Sequence, residues 1–177
     1  DNMTWGVSIP WKILKNFPED ELEVNIETRQ YESEMIVYDY LVQGKNKKEI
    51  IISAHNCHPY QANDDISGCA VAIHAINKIK NRADLEYSYR IIIGPELYGP
   101  MFWLEQNKSK IRNIEGCILL KSVGNANTIN MQKSYDGDTY INKVMQKAME
   151  DTEEISNVHE FRTYYGNDET VFDAVGI

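Results

Sequence analysis

Residues 55–68, His55-Asn56-Cys57-His58-Pro59-Tyr60-Gln61-Ala62-Asn63-Asp64-Asp65-Ile66-Ser67-Gly68, hold two imidazoles, a thiol and two carboxylates. Imidazole and carboxylate are donors suited to Zn2+ and its first-row neighbours. A cation held by such groups activates water and polarises carbonyl groups, which is the chemistry of hydrolysis. Each residue also has a plainer role open to it. Asp64 or Asp65, just ahead of a helix, suits a metal ligand or a helix cap. His58 before Pro59 suits a ligand or a loop histidine bonded to backbone. Cys57 reads as a buried thiol, and a Cys57–His58 nucleophile pair is disfavoured because adjacent side chains point apart. His74 and His159 read as structural histidines.

A second carboxylate, Glu96, closes an Ile-rich run between Gly94 and Gly99. A carboxylate fixed at a strand end, near a metal-bound water, is a candidate general base or ligand. Asp168 and Glu169 follow Gly166-Asn167. They suit a ligand or substrate-binding pair, or a turn leading into a helix.

The elements that must place these groups follow from periodicity. Leu22 to Ile26 alternates as a strand, and Met35 to Val42 reads as a second. Glu49 to Ala54 is apolar on both faces and delivers His55 at its end. Ser67 to Lys80 predicts a helix with Ala70, Val71, Ile73, His74, Ile76 and Ile79 on its apolar side and small residues at Gly68 and Ala72. Tyr87 to Ile93 and Gly116 to Val123 read as strands. Pro100 to Asn107 and Thr139 to Glu150 read as helices, and Glu160 to Thr163 as a further strand. Alternating strands and helices predict an α/β fold with a mostly parallel or mixed central sheet flanked by helices. The polar clusters at 55–65, 96, 124–125 and 168–169 all fall after strand ends, where open α/β sheets place their sites.

Composition bounds the partners. The chain has 177 residues, 42% hydrophobic and 25% charged, with a net charge of −9. Such a chain buries roughly 70% of its unfolded surface, enough for a single domain over 1–177. The acidity argues against nucleic acid and anionic membranes as partners, since Lys45-Asn46-Lys47-Lys48 is too short a basic patch. No apolar run approaches the roughly 20 residues of a membrane span. Cys57, Cys69 and Cys117 do not make a disulfide framework and suit a reducing, cytoplasmic setting. GxGxxG, GxxxxGK[ST] and GxSxG are absent. Ala174-Val175-Gly176-Ile177 reads as entry into another strand, so the domain is expected to be a fragment of a longer chain.

Ala62-Asn63-Asp64-Asp65-Ile66-Ser67-Gly68 resembles the helix-opening metal motif of the M28-type zinc peptidase clan. His55-Asn56-Cys57-His58-Pro59, together with that string, Gly94-Pro95-Glu96 and Gly166-Asn167-Asp168-Glu169, is more similar to a bacterial aminopeptidase-like domain family. Trp5-Gly6 also fits it. The resemblance implies a three-layer, zinc-exopeptidase-like fold and one or two Zn2+. It implies that His55 is a metal ligand and that Asp64 bridges two metals or binds one. Glu96 falls where members carry two consecutive glutamates, a base and a ligand, but Pro95 precedes it here. The later aspartate ligand falls near Asn125, an amide that binds metal more weakly and suits substrate contact. Asp168 resembles the aspartate ahead of a last histidine ligand, which would lie beyond Ile177. His58, Asp168 and Glu169 are the substitutes at hand.

The function implied is hydrolysis of an N-terminal peptide bond, or a related amide, with Glu96 as the base. Asp168 or Glu169 would anchor the substrate's amino group. Two other readings stand beside it: an inactive aminopeptidase-like recognition domain, and a zinc hydrolase of another small amide or acyl substrate.

Overall fold

A computed structural model describes residues 9–16, 25–152 and 157–177. The chain groups into two units, Asp1–Ser33 and Glu34–Ile177. In the first, the described residues hold one short helix, α1 (Trp11–Leu14). The strand expected over 22–26 lies outside the described residues except for Asn25 and Ile26, which are irregular, and Trp5-Gly6 lies outside them too.

The second unit is built on a four-stranded sheet. In chain order its elements are β1 (Tyr38–Val42), β2 (Glu49–His55), α2 (Ile66–Ile79), β3 (Ser88–Gly94), α3 (Tyr98–Gln106), β4 (Ile114–Leu119), β5 (Asn130–Gln132), α4 (Tyr140–Asp151), β6 (Asn157–His159) and α5 (Glu169–Asp173). The sheet order is β1-β3-β2-β4. β3, β2 and β4 run parallel, and β1 lies antiparallel on the edge beside β3. β5 and β6 form a separate parallel pair. The α/β fold with a mixed central sheet flanked by helices is therefore the one expected, although β6 ends where the sequence predicts a strand to begin.

Strand alternation assigns the two faces. Ile52 and Ala54 of β2 join Ile91 and Ile93 of β3 against Cys69, Ala72 and Ile76 of α2. Ile51 and Ile92 point the other way, against Trp103 and Leu104 of α3 and Phe172 of α5. All seven residues of β2 are buried, as expected of a strand covered on both faces. The buried side of α2 is Gly68, Cys69, Ala72 and Ile76. Ala70, Val71, Ile73 and His74 are exposed, so the helix is rotated from the predicted stripe and His74 is not a core histidine. The small residues decide this: the buried positions 68, 72 and 76 recur every four residues and bring the backbone close to the sheet.

One charged cluster sits within the α3 side of the sheet. Arg90 of β3 donates from Nε to Glu49 Oε2 at 2.6 Å and from Nη2 to Glu49 Oε1 at 3.2 Å. Its Nη1 reaches Asp39 Oδ1, and Trp103 Nε1 donates to Asp39 Oδ2 at 2.8 Å. The guanidinium lies 5.4 Å from the Trp103 ring. Arg90 and Glu49 are both buried, and each finds its charge partner on the neighbouring strand.

Candidate metal and hydrolase site

Three parallel strand ends bring the site together. His55, the last residue of β2, pairs with Gly94, the last of β3, and Glu96 follows two residues on. On the other side Ser53 pairs with Leu119 of β4, and the Leu120 N–H donates to the Ser53 carbonyl at 2.9 Å. Lys121 thus comes out level with His55. Between β3 and α3 the chain turns through Gly94 and Gly99, which pack backbone to backbone. A Cβ on Gly99 would lie 3.0 Å from Gly94 Cα, so this turn is closed to larger residues. Leu97, next to Glu96, has φ 62, a left-handed conformation that costs a non-glycine residue about 1 kcal/mol or more. Strain of this kind persists where neighbours hold it. Here the Leu97 N–H donates to Asp168 Oδ1 at 2.6 Å.

Asp65 ties the remaining pieces together. Its Oδ1 accepts from the N–H of Gly68 at 3.2 Å, capping α2, and from the N–H of Ser122 at 3.0 Å. Its Oδ2 accepts from the His55 N–H at 3.2 Å. The side chain is fully buried. Burial pushes its carboxyl above the usual range, and the Ser122, His55 and Gly68 N–H groups oppose that rise. A Cβ at Gly68 would lie 2.4 Å from Asp65 Oδ1, which explains the glycine there. The sequence left the cap open between Asp64 and Asp65; the structure gives the cap to Asp65 and leaves Asp64 facing the site. Asp65→Ala strands three N–H groups, two of them at buried elements, and is expected to destabilise the fold by about 3 kcal/mol or more. The check is the urea midpoint, with Asp65→Asn falling between wild type and Asp65→Ala.

His55 is buried, and its two ring nitrogens face different neighbours. Nδ1 lies 3.4 Å from Cys57 Sγ. Nε2 lies 3.0 Å from Asp64 Oδ1 and 3.0 Å from Lys121 Nζ. Lys121 Nζ is also 3.0 Å from Asp64 Oδ1 and 3.2 Å from Glu96 Oε1. A ring nitrogen of His55, Cys57 Sγ and a Glu96 carboxylate oxygen lie within 4.8 Å of one another, a spacing that fits one metal ion. Cys57 is exposed, not the buried thiol expected. His58 donates from Nδ1 to the Pro59 carbonyl at 2.9 Å, since a carbonyl only accepts. Its Nε2 lies 3.6 Å from Asp64 Oδ2. Burial works against the charge of Asp64, yet Lys121, then His55, outweigh it and hold the carboxyl below the usual range.

Other expected residues stand apart from this cluster. Asn125 is exposed and spends its side chain on its own loop, donating to the Ser122 carbonyl at 3.1 Å and accepting from the Asn127 N–H at 2.7 Å. Glu169 Oε1 accepts from the Asn167 N–H at 2.8 Å. His159 stacks on Tyr164 with ring centres 4.3 Å apart, in keeping with a structural role. Asp168 is buried; its Oδ1 serves Leu97, while Oδ2 has no hydrogen-bond partner among the described residues. Burial pushes its carboxyl up to about 6, opposed by the Leu97 N–H and His55 and reinforced by Glu96 and Glu169. A raised carboxyl favours the folded state where it is protonated and the unfolded chain is not, between about pH 6 and the usual value near 4. In the presence of chelator, the unfolding free energy of wild type relative to Asp168→Asn is expected to rise by roughly 2 kcal/mol from pH 8 to pH 4.5. A difference that stays constant over that range would count against the raised carboxyl.

Lys121 and Asp65 were not read from the sequence as site residues, and Cys57 was not read as a donor. Lys121 falls inside the predicted strand 116–123, and only the β2–β4 register places it beside His55. A signal was present, since a lysine directly after Ile118-Leu119-Leu120 is an unusual end to a buried strand.

Known proteins share this fold. A protein of Clostridium acetobutylicum named for polysaccharide biosynthesis and an aminopeptidase-like domain is 30% identical over 173 residues, covering 98% of this chain and 39% of that protein. A crystal structure of a Clostridium acetobutylicum protein provisionally named as a peptidase matches with a TM-score of 0.74 and 30% identity, covering 80% of this chain and 33% of that one. A glutaminyl cyclase from an Acidobacteriales bacterium shares the fold at TM-score 0.66 and 17% identity, over 81% of this chain and 56% of its own. The chain therefore spans less than half the length of its Clostridium relatives. It has a peptidase-like α/β fold with a His/Cys/Glu cluster spaced for a metal, and among the described residues no helix is long and apolar enough to cross a membrane. A family model described as a domain of unknown function, DUF4910, matches residues 4–177, and the chain belongs to that family.

Proposed function

We propose that this domain is a metal-dependent hydrolase of the zinc-aminopeptidase type, cleaving an N-terminal peptide bond or a related amide. The observation that carries this reading is the convergence of His55, Cys57 and Glu96 donor atoms within 4.8 Å, beside Asp64, at the carboxyl ends of parallel strands. The donor set of imidazole, thiolate and carboxylate fits Zn2+. His55, Cys57, Glu96 and Asp64 would hold it, with His58 Nε2 beside Asp64. A cation there supplies Lewis acidity to water and to the substrate carbonyl.

The rest falls to the chain's own groups. Glu96, with a third of its side chain exposed, is reachable by water and substrate, and it takes the proton from water and returns it to the leaving amine. Asp168 acts one step back, holding the strained Leu97 turn that aims Glu96. Glu169, whose Oε2 has no hydrogen-bond partner among the described residues, adds negative charge that favours a substrate's cationic amino group. Asn125 would contact substrate only by giving up its hydrogen bonds to Ser122 and Asn127. The resemblance of residues 62–68 to the M28-type motif and the name of the Clostridium relative support an aminopeptidase-like substrate.

The test is hydrolysis of aminoacyl amides by the zinc-supplemented chain, against the same amides with a blocked amino group. Cleavage confined to the free-amine series, and lost in Glu96→Gln, is the expected outcome. Cleavage of neither series would favour a recognition domain, the reading to which the Lys121 ammonium within the donor set lends weight.

A further inference from the structure

Three acceptors converge at the mouth of β2: His55 Nε2, Asp64 Oδ1 and Glu96 Oε1. Two of them are carboxylates, whose like charges repel unless a cation stands between them. The chain supplies one. Lys121 Nζ is 3.0 Å from His55 Nε2, 3.0 Å from Asp64 Oδ1 and 3.2 Å from Glu96 Oε1. An ammonium only donates, so a Lys121–His55 hydrogen bond uses the Nε2 lone pair, whereas Asp64 Oδ1, equally near at 3.0 Å, would call for an Nε2–H. The lone pair is what a metal requires. The Lys121 side chain is only 18% exposed, and it follows β4, the strand beside β2.

We propose that Lys121 is an internal cation that competes with a divalent metal for His55, Asp64 and Glu96. Metal that uses these three groups must displace the lysine, because two cations cannot share donors 3 Å apart. The Cys57 side of His55 carries no such rival, since the lysine contacts only Nε2. The site thus has a preformed ligand set whose affinity is set down by its own lysine. This rests on the reading of His55, Asp64 and Glu96 as metal ligands, and it adds a residue that sets how readily the site fills.

The experiment measures Zn2+ dissociation constants by chelator competition on the full chain, for wild type, Lys121→Met and Lys121→Arg. The neutral variant is expected to bind Zn2+ at least tenfold more tightly, and the arginine variant no more tightly than wild type. The gain should vanish in Lys121→Met combined with His55→Ala. An affinity in Lys121→Met equal to or below wild type overturns the competition while leaving the metal site standing. Absence of zinc binding in all variants overturns both. Should Lys121→Met fail to fold, zinc titration of the unmutated chain under lysine-selective NMR decides. Movement of the Lys121 side-chain resonance in step with binding supports displacement, and zinc binding with that resonance unmoved overturns it.

Discussion

Glu96→Gln is expected to lower hydrolysis of a free-amine substrate by about 10²- to 10⁴-fold, the usual worth of a positioned general base. The substitution keeps the side chain's length and one oxygen for binding, so the unfolding midpoint should change little; the amide is the weaker ligand, so turnover is compared at saturating Zn2+. Glu96 supports this separation of roles because its side chain is a third exposed and its polar partner among the described residues is Lys121. An amide cannot take a proton from water at neutral pH. The loss should therefore appear in kcat and kcat/KM together, with KM nearly unchanged. A variant with undiminished turnover would move the base to another residue.

Arg90→Met should be the most damaging single change to stability, at about 3–5 kcal/mol. The arginine stands between two carboxylates on its flanking strands, and methionine leaves Glu49 buried without its counter-charge. Against a typical stability of about 5–15 kcal/mol, that loss takes a large share. The measurement is urea unfolding, where the midpoint should fall with little change in slope. Combining Arg90→Met with Glu49→Gln and Asp39→Asn should restore part of the loss, because the penalty comes from stranded charge rather than from the missing methylenes. If the triple variant is no better than the single one, packing against Trp103 is the larger part.

These two residues also mark where sequence reasoning succeeds and stops. Glu96 was legible because it closes an Ile-rich strand between glycines, and a strand end fixes direction. His55 was legible for the same reason, and the Asp64-Asp65 pair because a helix plainly begins there. Arg90 was not, since nothing local shows that Glu49 and Asp39 will lie on adjacent strands with matching face. Lys121 was hidden by the same gap: its neighbour in space is 66 residues away and is set by register. The rotation of α2 was misjudged because large apolar residues were weighted above the small ones that allow close packing. β5 and β6, three residues each, are too short to carry a periodic signal. The site's residue types were thus readable from local order, whereas its electrostatics needed the fold.

The Asp65 carboxylate holds the end of β2, the first turn of α2 and the segment after β4 on a single side chain. Any motion that spreads these three apart breaks buried hydrogen bonds. The buried His55 donor therefore loses its conformational freedom when the chain folds, not when a ligand arrives, and less ordering remains to oppose binding. Adaptation to different ligands then falls to the exposed 56–60 loop and to the lysine tether, so ligand preference should be adjustable there without disturbing the frame.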